Sequence, residues 1–249
     1  MKIYKLINKK NNNIIWALKK KDCFYNIKNP NFENTQYEEK LDLNEYYMTA
    51  PFFGSKILGF SLNYKSLIGD SNDEPLFFLK NPNSIITQGE NIEVKKFNTK
   101  VWIEVELVVV VKDKCKNIEY QDVDQHILGY TIGNDVTSEN LYGRDWHLGR
   151  GKGQDTFSPI APFINEKIDT RNLNVQSFIN DKLYQRGNTN EMLFDAKKCF
   201  ELASKYCTLF PGDLIFTGTP VGATDAIIKK GDKVRIEIEN LGFLENNVV

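Results

Sequence analysis

A chain of 249 residues, 41% hydrophobic and 26% charged, is long enough for a sizeable core and has the composition of an ordinary soluble protein. Its formal net charge of -1 speaks against a nucleic-acid surface or a basic membrane-binding face. No apolar run approaches the ~20 residues that span a bilayer, and residues 1–22 lack the continuous apolar core of a signal peptide, so the expected setting is the cytoplasm. Cys23, Cys115, Cys199 and Cys207 show no C-x-x-C spacing and read as free thiols of a reducing compartment.

Residues 1–50 alternate short apolar runs, such as Ile14-Ile15-Trp16-Ala17-Leu18, with Asn-rich and charged breaks, which predicts a small strand-rich N-terminal segment without a core of its own. Pro51 and Gly54 then punctuate the chain, and a main domain over 51–249 opens on the strand-like Lys56 to Tyr64. Residues 65–75 are polar and turn-rich, as in a mobile surface loop, and Leu76-Phe77-Phe78-Leu79-Lys80 is again strand-like.

The stretch Val101 to Val111 is apolar or β-branched almost throughout, except for Glu104 and Glu106. Strand side chains alternate faces with a period of two, so the two glutamates point the same way from a segment that reads as buried. Two carboxylates side by side in low dielectric persist only if one is protonated or a cation lies between them. Asp135 follows the apolar Ile127 to Ile132 and brings a third carboxylate to the end of an adjacent strand. The plainer alternative puts Glu104 and Glu106 on the wet face of an edge strand; the continuation of their face into Val108 and Val110 argues against it. With only two histidines, His126 and His147, and scattered cysteines, a tetrahedral zinc site has little support here, and Mg2+ or Mn2+ held by carboxylates and water is the better match.

Gly149-Arg150-Gly151-Lys152-Gly153 is no P-loop, because Trp146 stands where the first glycine belongs and Gly153 where Ser or Thr should hold magnesium. A Gly-flanked Lys152 near a metal is chemically useful, although a solvated loop lysine is the plainer reading. Val175 to Arg186 reads as a hairpin. The one strong helix is predicted from Asn188 as N-cap with Glu191 closing a capping box, its face formed by Met192, Leu193, Ala196, Phe200, Ala203 and Tyr206. Leu214-Ile215-Phe216 is a buried strand, Thr217 to Gly222 a tight loop able to hold an oxyanion, and Val234 to Ile238 the last strand. With no repeat, heptad or βαβ series, the expected fold class is α+β and β-rich with few helices.

These pieces, in this order, resemble the fumarylacetoacetate hydrolase family over about residues 50–249. The resemblance rests on Leu62-Asn63-Tyr64, Phe78 to Pro82, Glu104 to Leu107, Gly129-Tyr130-Thr131, Asn134 to Thr137, Lys152 with Asp155-Thr156-Phe157, Asn188-Thr189 with Met192, and Pro211-Gly212-Asp213 through Thr217 to Pro220. It implies a mixed β-roll domain, a homodimer, and Mg2+ or Mn2+ on Glu104, Glu106 and Asp135. It also implies a 2-oxo or 1,3-diketo acid substrate whose enolate the ion stabilises, with Lys152 catalytic and Thr219 donating a hydrogen bond.

Two departures qualify this. Where family hydrolases carry a lid His and Glu that activate water, the aligned positions are Leu67 and Asp70, which leaves Asp70 as the one titratable lid candidate. Where the family shows Ala-Arg-Asp-x-Gln, this chain has Ser138 to Tyr142, with Glu139 in place of a cation and Tyr142 as the substrate-binding candidate. Carbon-carbon bond hydrolysis, an isomerisation or decarboxylation needing no activated water, a hydratase or lyase reaction on another chelating ligand, and a metal-binding protein without turnover all remain open at this point. His147 could replace the lost base, but a surface histidine is the simpler reading.

Overall fold

In the computed structural model, which describes residues 1–30 and 38–249 and leaves the side chain of Leu141 undescribed, the N-terminal alternation folds as strands. They are β1 (Lys2–Asn8), β2 (Ile14–Lys20), β3 (Cys23–Ile27), β4 (Lys40–Leu41) and β5 (Tyr46–Thr49). Next come β6 (Ile57–Ser61), the single helical turn α1 (Lys65–Ile68), β7 (Leu76–Lys80), and the short β8 (Ile85–Ile86) and β9 (Asn91–Ile92). The apolar centre forms β10 (Val101–Trp102), β11 (Val105–Val111), α2 (Val123–His126), β12 (Ile127–Asn134) and β13 (Thr137–Ser138). After α3 (Gly149–Lys152) follow β14 (Ser158–Pro159), β15 (Phe163–Asn165), β16 (Asn174–Ile179) and β17 (Lys182–Asn188). The chain ends with α4 (Ala196–Tyr206), β18 (Leu214–Phe216), β19 (Lys233–Ile238) and β20 (Gly242–Val248).

Two sheets carry the fold. The larger runs β4-β3-β2-β1-β15-β12-β11-β18-β6-β7, with β5 beside β1, and the smaller runs β17-β16-β19-β20-β9. β1 pairs with β15, so residue 50 marks no break in the sheet. β11 lies between β12 and β18 with every residue buried, which is why its sequence is nearly continuous in valine. Leu107 and Val109 face the core shared with Val175, Ile236 and Leu244 of the smaller sheet. Val108 and Val110 face a second cluster with Leu128, Ile164 and Phe216, and Glu106 shares that side of the strand.

Three local expectations are corrected. The Asn188–Glu191 box caps only a 3-10 turn, with Asn188 accepting from the Asn190 amide; α4 starts at Ala196, its N-cap Asp195 accepting from the Lys198 amide. Met192 and Leu193 therefore precede the helix. The run 101–111 breaks at Ile103-Glu104 into β10 and β11, so Glu104 lies between strands. A further strand, β20, follows β19 and pairs with it antiparallel.

Candidate metal centre and active site

β11 and β12 are antiparallel with Glu106 opposite Gly133 and Val105 opposite Asn134, so the end of β12 meets the start of β11. The Asp135 amide donates to Glu104 O at 3.0 Å, and the Glu104 amide donates to Asn134 Oδ1 at 3.1 Å. This register gathers Glu104, Glu106 and Asp135, each offering a carboxylate oxygen within 4.8 Å of the others, all buried. Carboxylates so placed cannot all remain charged without compensation.

Two buried lysines supply part of it. Lys152, at the end of α3, donates to Asp135 Oδ2, to Glu104 Oε2 at 3.2 Å and to Thr137 Oγ1 at 2.8 Å, with its ammonium 4.8 Å from the centre of the Phe78 ring. Lys80, at the end of β7, donates to Asp135 Oδ1. Burial works against charge at Asp135, but Lys152 and Lys80 outweigh it and hold the carboxyl below the usual range. Burial likewise opposes the Lys152 charge, yet Asp135, Glu104 and Glu106 outweigh it and the ammonium is held above its ordinary pKa. Lys80 is lowered by burial and by Lys152, with Asp135 pulling the other way.

Glu106 receives least help. Burial first, then Asp135 and Glu104, push its carboxyl well above the ordinary glutamate value, against the Lys152 charge and one backbone bond in which the Gly218 amide donates to Oε2 at 2.6 Å. Three carboxylates against two ammonium groups leave one negative charge unmatched, and Glu106 is where it falls. A divalent cation removes that deficit, and three hard oxygens suit one. Two orphaned groups adjoin the same place: the buried Tyr64 hydroxyl, which feels the Glu106 charge, and Asn134 Nδ2, next in sequence to Asp135. The residues present fit a divalent ion on Glu104, Glu106 and Asp135.

The glycine-rich loop whose lysine reads most simply as solvated is pinned onto this centre. Asp145 accepts from the Gly151 amide at 2.7 Å and its own amide donates to Asn140 Oδ1 at 2.9 Å, setting α3 so that Lys152 points inward. Trp102 Nε1 and Thr137 Oγ1 donate to Glu104 Oε1 at 2.7 and 3.0 Å.

Thr219 is near but engaged. Its hydroxyl donates to Val105 O at 2.9 Å and accepts from Gln185 Nε2 at 2.9 Å, so its proton is spent on fixing β11 rather than free for a substrate. Gly218, the neighbouring amide, is aimed at a carboxylate and not at an oxyanion. Asp70 and Tyr142 stand apart: the Asp70 side chain is 86% exposed and pairs with Lys65 at 2.8 Å, and Tyr142 is 89% exposed. Leu67 is half-exposed on α1, whose Ser66 Oγ accepts from the Val221 amide at 3.4 Å, which seats the helical turn on the loop carrying Gly218. His147 is exposed.

Lys80, Trp102, Thr137 and Gln185 also serve this centre, although no pattern in the sequence marks the last three as site residues. Lys80 had a signal: it shares the inward face of β7 with Phe78 while Phe77 and Leu79 point out, and a lysine on a core face requires a buried acid.

A strand-rich α+β fold centred on buried carboxylates defines the class of protein. Residues 56–249 match the Fumarylacetoacetate (FAA) hydrolase C-terminal family, and the chain belongs to it. It is 35% identical over 213 residues to a mitochondrial oxaloacetate tautomerase of Bos taurus, covering 78% of this chain and 66% of that one. A 5-carboxymethyl-2-hydroxymuconate delta-isomerase from Mycobacterium smegmatis superposes with a TM-score of 0.92 at 30% identity, over 100% of this chain and 99% of the other. Fumarylpyruvate hydrolase from Pseudomonas aeruginosa, solved with Mn2+ and pyruvate, shares the fold at a TM-score of 0.72 and 24% identity, over 80% and 91% of the two chains. Among the described residues, no helix is long and apolar enough to cross a membrane.

Proposed function

We propose that the protein is a Mg2+- or Mn2+-dependent enzyme that interconverts keto and enol forms, or double-bond isomers, of a 2-oxo acid, without activating water. The observation that carries this is the pairing of an acidic centre, suited to a cation, with a lid turn that presents Leu67 and an Asp70 turned to solvent. Hydrolysis needs a base for the attacking water, and neither residue supplies one at the centre. Relatives named as a tautomerase and an isomerase support the same reading.

A bound dication supplies Lewis-acid polarisation of the oxo-acid oxygens. Glu104, Glu106 and Asp135 would hold it, and the chain prepares their charge. With Glu106 ionised and a dication in place, the centre carries one net positive charge, which favours a carboxylate substrate over a neutral one. Lys152, kept protonated by its acidic neighbours and already donating to Asp135, Glu104 and Thr137, would stabilise the growing negative charge of an enolate through its charge. Thr137 and Trp102 hold Glu104 in place, while Thr219 and Gln185 hold the start of β11. Phe78 is buried with its ring 4.8 Å from the Lys152 ammonium, which helps keep water from that charge.

The test is the decay of enol-oxaloacetate absorbance with and without Mg2+ or Mn2+. Metal-dependent acceleration is expected, together with a loss of about 10²–10³ in Lys152→Met, the size of effect seen when an oxyanion donor is removed. Cleavage of an acylpyruvate faster than tautomerisation would contradict the reading, as would full activity in Lys152→Met.

A further inference from the structure

Away from the acidic centre, three unlike donors converge where β11 gives way to α2. Asp113 and Cys115 stand two residues apart just past the end of β11, and His126 closes α2. His126 Nδ1 lies 2.6 Å from Asp113 Oδ1, and one ligand atom from each of the three residues falls within 4.8 Å of the others. The backbone holds them there: the Lys112 amide donates to His126 O at 2.8 Å, and Cys115 exchanges both backbone bonds with Leu209, at 3.1 and 2.9 Å.

A surface Asp–His pair would account for the 2.6 Å contact alone. It does not account for Cys115, which is only 7% exposed and whose thiol has no hydrogen-bond partner among the described residues. A buried thiol, an imidazole nitrogen and a carboxylate together make a mixed donor set quite unlike the all-oxygen centre, and thiolate with imidazole selects zinc over magnesium or manganese. Tetrahedral zinc with bonds of ~2.0–2.3 Å sets its ligand atoms about 3.3–3.5 Å apart, so the Asp113–His126 contact must open by less than ~1 Å. Both side chains have room to do so, being 47% and 25% exposed, and the same exposure leaves a fourth position to water.

We propose that Asp113, Cys115 and His126 form a second metal site of zinc type, with water as the fourth ligand, separate from Glu104, Glu106 and Asp135. Occupied, it staples the connection between β11 and α2, and so fixes the two strands whose far ends carry the acidic centre.

The experiment is a titration of the full-length protein with Co2+, a spectroscopic stand-in for zinc. The expected result is a near-ultraviolet thiolate-to-cobalt charge-transfer band with tetrahedral visible bands, bleached by Zn2+ and untouched by Mg2+. The acidic centre has no sulfur and cannot give that band. Cys115→Ser should abolish it, and His126→Gln should weaken cobalt binding by about tenfold or more, while both keep the wild-type circular dichroism and Mn2+ binding. Absence of the band in the wild type overturns the proposal. So does its survival in Cys115→Ser, which would hand it to Cys23, Cys199 or Cys207, or unchanged cobalt affinity in a folded His126→Gln.

Discussion

Glu106 shows how the residue scale sets a property of the whole protein. Burial raises its carboxyl well above the ordinary value, with Asp135 and Glu104 adding to the effect. A carboxyl raised on folding contributes stability that is present below its unfolded pKa, about 4.3, and lost as pH rises through the folded value. The cation-free protein should therefore lose melting temperature as pH climbs from mildly acidic toward and past neutrality, and more steeply than Glu106→Gln, which has nothing to ionise. Thermal melts in chelator across that window check it, and identical slopes in the two proteins would refute it. Mg2+ or Mn2+ should flatten the wild-type curve. The three acidic residues were legible in the sequence because charge inside an apolar run is expensive wherever it occurs. Lys80 was not singled out, since a lysine closing a strand also looks like an ordinary surface terminus; only the burial of Phe78 on the same face distinguishes the two.

Among the elements, the loop after β18 matters most to the centre. Gly218 has φ +95, and a Cβ there would lie 3.0 Å from Asn63 Cβ and 3.1 Å from Phe60 O. Gly218→Ala should cost about 1–3 kcal/mol in urea unfolding through left-handed backbone strain. It should also weaken divalent-metal affinity, because the Gly218 amide that holds Glu106 Oε2 is displaced. A variant with wild-type stability and affinity would show that the loop does not position the carboxylate. The strands of the centre were readable from period-two patterning, but two elements were not. Asn188 to Glu191 carries a real cap, yet it serves one 3-10 turn, and the Leu193-Phe194 stretch beyond it is held by Asn63, which accepts from the Phe194 amide through Oδ1 and from the Leu193 amide through its backbone oxygen. That long-range anchor is invisible in a local window. β20 went unseen because Asn246 points inward, its amide donating to Thr87 O and Glu90 O at 2.8 and 2.9 Å, so a polar residue occupies a core position.

At the scale of the whole molecule, a single continuous sheet joins the N-terminal strands to the strands that bear the site, and its β7 edge exposes Leu76 and Leu79. The family resemblance implies a homodimer, and light scattering should return twice the 28.7 kDa of one chain; the mass of one chain would contradict it. The overall architecture was legible through collinear motifs, whereas the position of the lid residues was not, because an exposed turn is set by contacts such as Lys65 with Asp70 that no periodicity encodes. What unites these scales is one electrostatic balance: three buried carboxylates, two from the segment that opens β11 and one from just past the end of β12, two lysines, and one negative charge left for a dication. Mn2+ titration followed by electron paramagnetic resonance measures that balance most directly. The account predicts one tightly bound ion per chain, with affinity reduced by about tenfold or more in Glu106→Gln. Wild-type affinity in that variant, or no bound Mn2+ in the unaltered protein, would contradict it.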